Sequence, residues 1–348
     1  MIPIVFNVNK KYVPYLAVTI ASILKNSTKK TQFKFYVLSR DDLASDLEDI
    51  TFRDYDNFKI INVIVNTNVF DKIENYQKSP QVTFDGYLKE FIPKMLTNLD
   101  KCIYLDCDLI VVADISNLYN LDIDDYHMGE VLVSYRGYKE YVNSHFYKII
   151  NKYGLVDEMY FNTGVKLLNL KKIREDNAED IFLNEIKNYI GNRDLRIFGQ
   201  DLLNIVYNGL NKIKPIDPRW NVGMLGQYRP SKDCFIIHWP GGQKPWNYPL
   251  ASHVKLYLEY ASITQFYDQI RMDLLSAVNK ELEYLDTKLY YKRYKLRLAL
   301  FDIRLFGKPL FPKKVAHYKT KIDKFLKQKD DKKYFYEKLI DLKQFLSK

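Results

Sequence analysis

Short apolar runs alternate with segments of helical spacing through residues 1–105, and that succession restricts the chain to an α/β fold. Residues 2–8 form an apolar run bounded by Asn and Lys, as expected of a buried first strand. Residues 13–26 put Leu16, Ile20, Ile23 and Leu24 at helical spacing, and Asn26-Ser27-Thr28 stops the helix. Residues 33–38 and 59–65 read as the next two strands, 41–50 and 87–99 as helices, and 102–105 as a fourth strand. The expected architecture is a mixed, mostly parallel sheet flanked by helices. Ligands of such sheets bind beyond the carboxyl ends of the strands, where residues 7–9 and 106–108 both fall. Further on the pattern loosens: a strand at 161–170, helices at 176–190 and 200–208, a short strand at 235–238, and mostly helix after residue 251. With 47% hydrophobic residues the chain can bury a full core, and 348 residues suit one large domain with an appendage.

Asp106-Cys107-Asp108 closes the fourth strand. Side chains of extended backbone repeat every two residues, so the two carboxylates project to the same side. Paired hard oxygen ligands suit Mg²⁺ or Mn²⁺, ions that commonly share their coordination with a substrate diphosphate. The plainer alternative is a turn carrying solvated acids. A neutral imidazole at His238 can complete a site that two carboxylates begin. Gly241 and Gly242 allow close backbone approach, and Lys244 can place an ammonium on a phosphate. Against this stands a capped surface turn with a satisfied histidine. Phe161-Asn162-Thr163-Gly164-Val165 opens a strand with a polar pair, and Gln200-Asp201-Leu202-Leu203-Asn204 opens a helix, where Asn and Asp also serve as caps.

In this order the motifs resemble glycosyltransferase family 8, the retaining nucleotide-sugar transferases that include bacterial lipooligosaccharide galactosyl- and glucosyltransferases and glycogenin. The resemblance spans roughly residues 1–250, including Leu99-Asp100-Lys101 ahead of the Asp-x-Asp strand and His238 through Trp246. It implies a GT-A, Rossmann-like nucleotide-binding fold and a hexose moved from a UDP-sugar. It also implies Mn²⁺, with Mg²⁺ as the substitute, on Asp106, Asp108 and His238. Tyr12 is then expected to stack on uracil, Asn7 and Asn9 to contact base and ribose, and Lys244 with Gly241 and Gly242 to hold the diphosphate. Asn162 is expected at the donor sugar and Gln200 beneath its anomeric carbon. With an amide at that face, front-face displacement is favoured over a covalent glycosyl-enzyme.

Three positions depart from the family pattern. Lys89 stands where many members have Arg, Gly199 where a carboxylate is usual, and Val133 where a sugar-binding Asp is common. Arg and Lys are not equivalent toward phosphate or sugar oxygens, so donor specificity does not transfer. The lost carboxylates also motivate a different class of function, a catalytically silent adaptor that binds nucleotide or membrane.

The net charge of +10 belongs to the tail. Residues 288–348 hold 19 Lys and Arg against 6 Asp and Glu, a net of +13, which leaves the other 287 residues at −3. A slightly acidic body does not suit a nucleic-acid binder. Tyr290, Tyr294, Leu298, Phe301 and Leu305 make one helical stripe among cations, the pattern of an interfacial helix on an anionic leaflet. The expected division is a catalytic domain at 1–260 and a helical, Lys-rich, membrane-associating region at 261–348. No apolar stretch approaches the ~20 residues of a spanning helix, and residues 1–6 lack the basic region of a signal peptide. Cys102, Cys107 and Cys234 share no metal-site spacing and read as reduced thiols. The chain is therefore expected in the cytoplasm, peripheral on the inner membrane face, acting on a glycan or glycolipid acceptor.

Overall fold

The computed structural model describes residues 1–65, 84–132, 145–155, 159–189, 198–223, 233–285 and 329–347, with residues 304, 305, 308, 309, 313, 316 and 319. Two compact units divide the chain: Met1–Gly241 with Tyr260–Phe266, and Gly242–Glu259 with Tyr267–Lys348.

The first unit is built on β1 (Ile2–Asn7), β2 (Phe33–Ser39), β3 (Phe58–Ile64), β4 (Lys101–Leu105), β5 (Leu109–Val111), β6 (Met128–Leu132), β7 (Phe161–Asn169), β8 (Ile213–Pro215), β9 (Val222–Gly223) and β10 (Ile236–His238). The main sheet runs β3-β2-β1-β4-β7-β6-β8. Its first four strands are parallel, β7 is antiparallel to both β4 and β6, and β8 returns parallel to β6. The sheet is thus mixed and mostly parallel, as its apolar central runs require: β1, β2 and β4 are buried along nearly their whole length. A second sheet of order β5-β10-β9 stands beside it.

The helix α1 (Val13–Asn26) has Pro14 in its first turn, where a missing N–H costs nothing. It is buried along most of its length, and its polar face is used as well. Thr19 Oγ1 donates to Cys107 O and Leu109 O, Ser22 Oγ accepts from Val111 N, and Asn26 Nδ2 donates to Val111 O. Three side chains at i, i+3 and i+7 thereby supply β5 with hydrogen-bond partners that a neighbouring strand would otherwise provide.

Several elements differ from the sequence expectation. The helix expected at 87–99 is a 3-10 stretch, Phe84–Phe91, followed by a short helix, Ile92–Met95. Pro93 accounts for the break, because it fits a first turn but not a helix interior. The helix at 41–50 shortens to Ala44–Glu48. That at 176–190 becomes Leu170–Glu175 and Ala178–Tyr189, divided at Asn177, whose φ is 49°. The helix at 200–208 is Phe198–Leu203 continued by a wider π turn, Asn204–Asn208.

In the second unit the helices Tyr267–Leu285 and Lys329–Leu346 pack on one another. Ile270, Leu274 and Val278 are buried, as are Leu339, Leu342 and Leu346, at the spacing of one apolar stripe on each helix. Arg271 donates to Leu346 O and Lys255 pairs with Asp341. Arg304–Leu305 pairs antiparallel with Lys308–Pro309, so Leu305 lies in a strand rather than at the end of a helical stripe. Tyr290, Tyr294, Leu298 and Phe301 lie outside the described residues, as does Val133. No described helix is long and apolar enough to cross a membrane.

Candidate active site

Asp106-Cys107-Asp108 links β4 to β5, and hydrogen bonds tie the link at both ends. Asp106 N donates to Gly164 O at 2.8 Å, and Trp239 N donates to Asp108 O at 2.9 Å. The antiparallel register of β10 on β5 sets His238 opposite Leu109. His238 Nε2 then lies 3.2 Å from Asp108 Oδ1 and 3.9 Å from Asp106 Oδ2. The three ligand atoms fall within 4.8 Å of one another. Residues far apart in sequence therefore converge through the β10–β5 register.

The imidazole bears on the choice between a cation site and a satisfied histidine. His238 Nδ1 lies 2.9 Å from Asn221 Oδ1. An amide oxygen only accepts, so Nδ1 carries a proton, and in the neutral imidazole Nε2 presents a lone pair. That buried Nε2 has no hydrogen-bond partner among the described residues. A lone pair facing two carboxylates is repulsive unless a proton or a cation lies between them, and an imidazole with two carboxylates suits Mn²⁺ or Mg²⁺.

Gly164 is the wall beneath this cluster. A Cβ there would lie 2.3 Å from His238 Cε1 and 2.8 Å from Asp106 Oδ2, closer than real atoms approach. Tyr104 O–H donates to Asp106 Oδ1 at 2.7 Å. Burial raises the Tyr104 pKa well above its ordinary value, and the Asp106 charge adds to that. Tyr12 is half-buried; burial first, and then the nearby Cys107, Asp108 and Asp106, raise its pKa. Asn7 ends β1, and Asn9 Oδ1 caps the following turn by accepting from Lys11 N.

Lys89 faces the same cluster. Its ammonium donates to Thr163 O and Oγ1 at 3.1 and 3.0 Å and lies 5.2 Å from the Tyr104 ring centre. Burial lowers its pKa, with Asp106 opposing. Thus the residue in the usual Arg position spends hydrogen bonds on the start of β7.

Asn162 and Gln200 are joined directly. Asn162 Nδ2 donates to Gln200 Oε1 at 3.1 Å, and Thr163 N donates to the same oxygen at 3.3 Å. The motif at 200–204 is more than a cap. Asn204 exchanges two hydrogen bonds with the Phe161 backbone and a third with Gln200 O, pinning the helix to the start of β7. Asp201 is fully buried and accepts the Tyr160 O–H. Thr19, Tyr160 and Asn221 were not singled out from sequence. Polar residues recurring at i, i+3 and i+7 in apolar α1 signalled the first, whereas no local pattern marked the other two.

Gly241 has φ of 86°, the left-handed region that favours glycine. Gly242 and Lys244 belong to the second unit, where Lys244 N donates to Asn247 Oδ1 and Lys244 O accepts from Tyr248 N in a tight turn.

Residues 3–249 match the family model described as Glycosyl transferase family 8. The chain belongs to this family. A putative glycosyltransferase of Haemophilus influenzae is 31% identical over 228 residues, covering 63% of this chain and 62% of the relative. General stress protein A of Bacillus subtilis is 26% identical over 257 residues, 68% of this chain and 84% of that protein. Among solved structures, WbbM, a bifunctional glycosyltransferase, superposes with a TM-score of 0.62 at 17% identity, over 78% of this chain and 51% of that one. Galactosyltransferase LgtC, solved with donor and acceptor sugar analogs, gives 0.58 at 22% identity, over 76% of this chain and 96% of that one. The chain thus spans less than two thirds of the length of two of these relatives. The fold is GT-A.

Proposed function

We propose that the chain is a retaining hexosyltransferase that uses a UDP-sugar, with galactose or glucose as the hexose. Mn²⁺, or Mg²⁺ in its place, would be held by Asp106, Asp108 and His238, and the acceptor would be a surface glycan or its lipid-linked precursor. The observation that carries this is the buried Nε2 lone pair of His238 aimed at two carboxylates in a family 8 fold. A divalent cation bound there neutralises charge on the leaving diphosphate.

The protein's own groups divide the remaining work. Tyr12 offers its ring to the base, Asn7 and Asn9 contact base and ribose, and Lys244 with Gly241 and Gly242 holds the diphosphate. Lys89 keeps a cation near the donor, and Asn162 touches the donor sugar. Gln200 presents an amide beneath the anomeric carbon, while the neighbouring Asp201 carboxylate is turned inward to Tyr160. That arrangement favours front-face displacement. The anomeric carbon–phosphate bond breaks, the acceptor oxygen bonds on the same face, and the leaving phosphate oxygen takes the hydroxyl proton.

Incubation with Mn²⁺ and a panel of UDP-sugars, followed by assay for free UDP, tests the reaction. One or a few donors should release UDP, EDTA should abolish release, and Asp108→Asn should lower it by at least ~100-fold, the scale of removing a charge-stabilising group. Tight UDP binding without release from any donor would sink this reading in favour of a silent adaptor.

A further inference from the structure

We infer that Tyr160 and Asn221 are positioning residues at the two ends of one directional hydrogen-bond relay. The relay orients the Gln200 amide and, at its far end, fixes His238 in its metal-binding tautomer. It rests on the metal and donor roles proposed above, and it concerns residues to which those roles assign nothing.

The chain of contacts is continuous. The Tyr160 hydroxyl donates to buried Asp201 Oδ1, and Gln200 Nε2 donates to the Tyr160 oxygen at 3.3 Å. Gln200 Oε1 accepts from Asn162 Nδ2 at 3.1 Å, Asn162 Oδ1 accepts from Asn221 Nδ2 at 2.7 Å, and Asn221 Oδ1 faces His238 Nδ1 at 2.9 Å. Amide oxygens and nitrogens are nearly isosteric, so the sense of such a chain needs an independent anchor. Two backbone groups of β7 provide it. Thr163 N–H points at Gln200 Oε1 (3.3 Å) and Gly164 N–H points at Asn162 Oδ1 (3.0 Å). A backbone N–H can only donate, so both atoms must be oxygens.

Every later link then follows. With Asn162 presenting oxygen, Asn221 must present its NH₂ there and its oxygen to the imidazole. The imidazole must therefore carry its proton on Nδ1, leaving Nε2 free to ligate. A single proton on the Tyr160 hydroxyl, spent on Asp201, makes its oxygen the acceptor that holds Gln200 Nε2. The sugar-facing amide and the metal ligand are thus set by one sequence of polar groups. Outer hydrogen bonds of this kind typically carry 10–100-fold of metal affinity or activity.

Three substitutions separate the relay's parts. Asn221→Ala removes the acceptor for Nδ1–H. Asn221→Asp keeps that acceptor but meets Asn162 with an oxygen instead of a donor. Tyr160→Phe keeps the ring and removes the hydroxyl from both Asp201 and Gln200. Nitrogen-15 histidine spectra of the metal-free full chain, with His238→Gln to assign the signal, should show His238 protonated on Nδ1. Binding of Mn²⁺ alone, followed by electron paramagnetic resonance without nucleotide, should weaken ~10–100-fold in Asn221→Ala. It should stay within about threefold of wild type in Asn221→Asp and Tyr160→Phe, while their kcat falls by at least about tenfold at little change in KM. A bare Nδ1 in the metal-free wild type overturns the relay, and so does wild-type Mn²⁺ affinity in folded Asn221→Ala. Failure of the wild type to bind Mn²⁺ or release UDP would instead overturn the proposed reaction, with the tautomer measurement still deciding the relay.

Discussion

At the scale of single residues, the site depends on what is missing from Gly164. Its backbone serves both halves of the site: the carbonyl accepts from Asp106 N, and the N–H anchors Asn162. Its absent side chain leaves the space that His238 and Asp106 occupy. Gly164→Ala would drive a methyl into a ring and a carboxylate that are both held by hydrogen bonds. Overpacking of this kind costs about 1–3 kcal/mol. A lower melting temperature should accompany Mn²⁺ binding weakened by at least about tenfold, each measured on the same preparation. Unaltered Mn²⁺ affinity would show that the imidazole moves aside freely and that the site is less rigid than its hydrogen bonds suggest.

At the scale of elements, α1 is as much part of the site as the strands. Thr19 reaches the carbonyls on either side of Asp108, and Ser22 and Asn26 serve Val111 one turn further along. Thr19→Val keeps the shape of the side chain but leaves buried carbonyls without that donor, at about 1–3 kcal/mol. Denaturant unfolding should show that loss together with weaker Mn²⁺ binding; full stability would mean that other donors take over. The same helix marks how far sequence can be read. Its apolar spacing and the buried strands follow from local periodicity, so they were legible, whereas Asp106 and Asp108 stand in a bend between β4 and β5 rather than in extended strand. Pro93 foretold a boundary that a purely periodic reading of 87–99 passed over. Gln200 and Asn162 were visible as a motif, with capping as the alternative. Their partners Tyr160 and Asn221 were not, since β7, the Pro218–Asn221 turn and β10 meet only through sheet register and loop closure. The β10–β5 pairing is antiparallel and joins residues more than a hundred positions apart, a contact that no local pattern encodes.

At the scale of the whole molecule, charge is segregated along the chain, with +13 in residues 288–348 and −3 elsewhere. Part of that segment already has an apolar partner: Leu339, Leu342 and Leu346 are buried, and their helix packs on Tyr267–Leu285. That stripe is therefore spent on folding, and the membrane contact expected from sequence would fall to the cations and aromatics of 288–328, among them Lys292, Arg293, Lys295 and Arg297. Each Lys or Arg near an anionic leaflet contributes about 1 kcal/mol, and that attraction is screened over ~10 Å at 0.1 M salt. In flotation, the full chain should bind anionic vesicles at ~0.05 M salt, detach by ~0.5 M, and ignore neutral vesicles. Replacing those four residues by Ser should remove about 4 kcal/mol at most, enough to abolish flotation while UDP release from soluble donor stays at the wild-type rate. Equal binding to neutral vesicles, or no binding to anionic ones at low salt, would assign the positive tail to another partner. Loss of UDP release in the Ser variant would mean instead that the tail supports the catalytic fold.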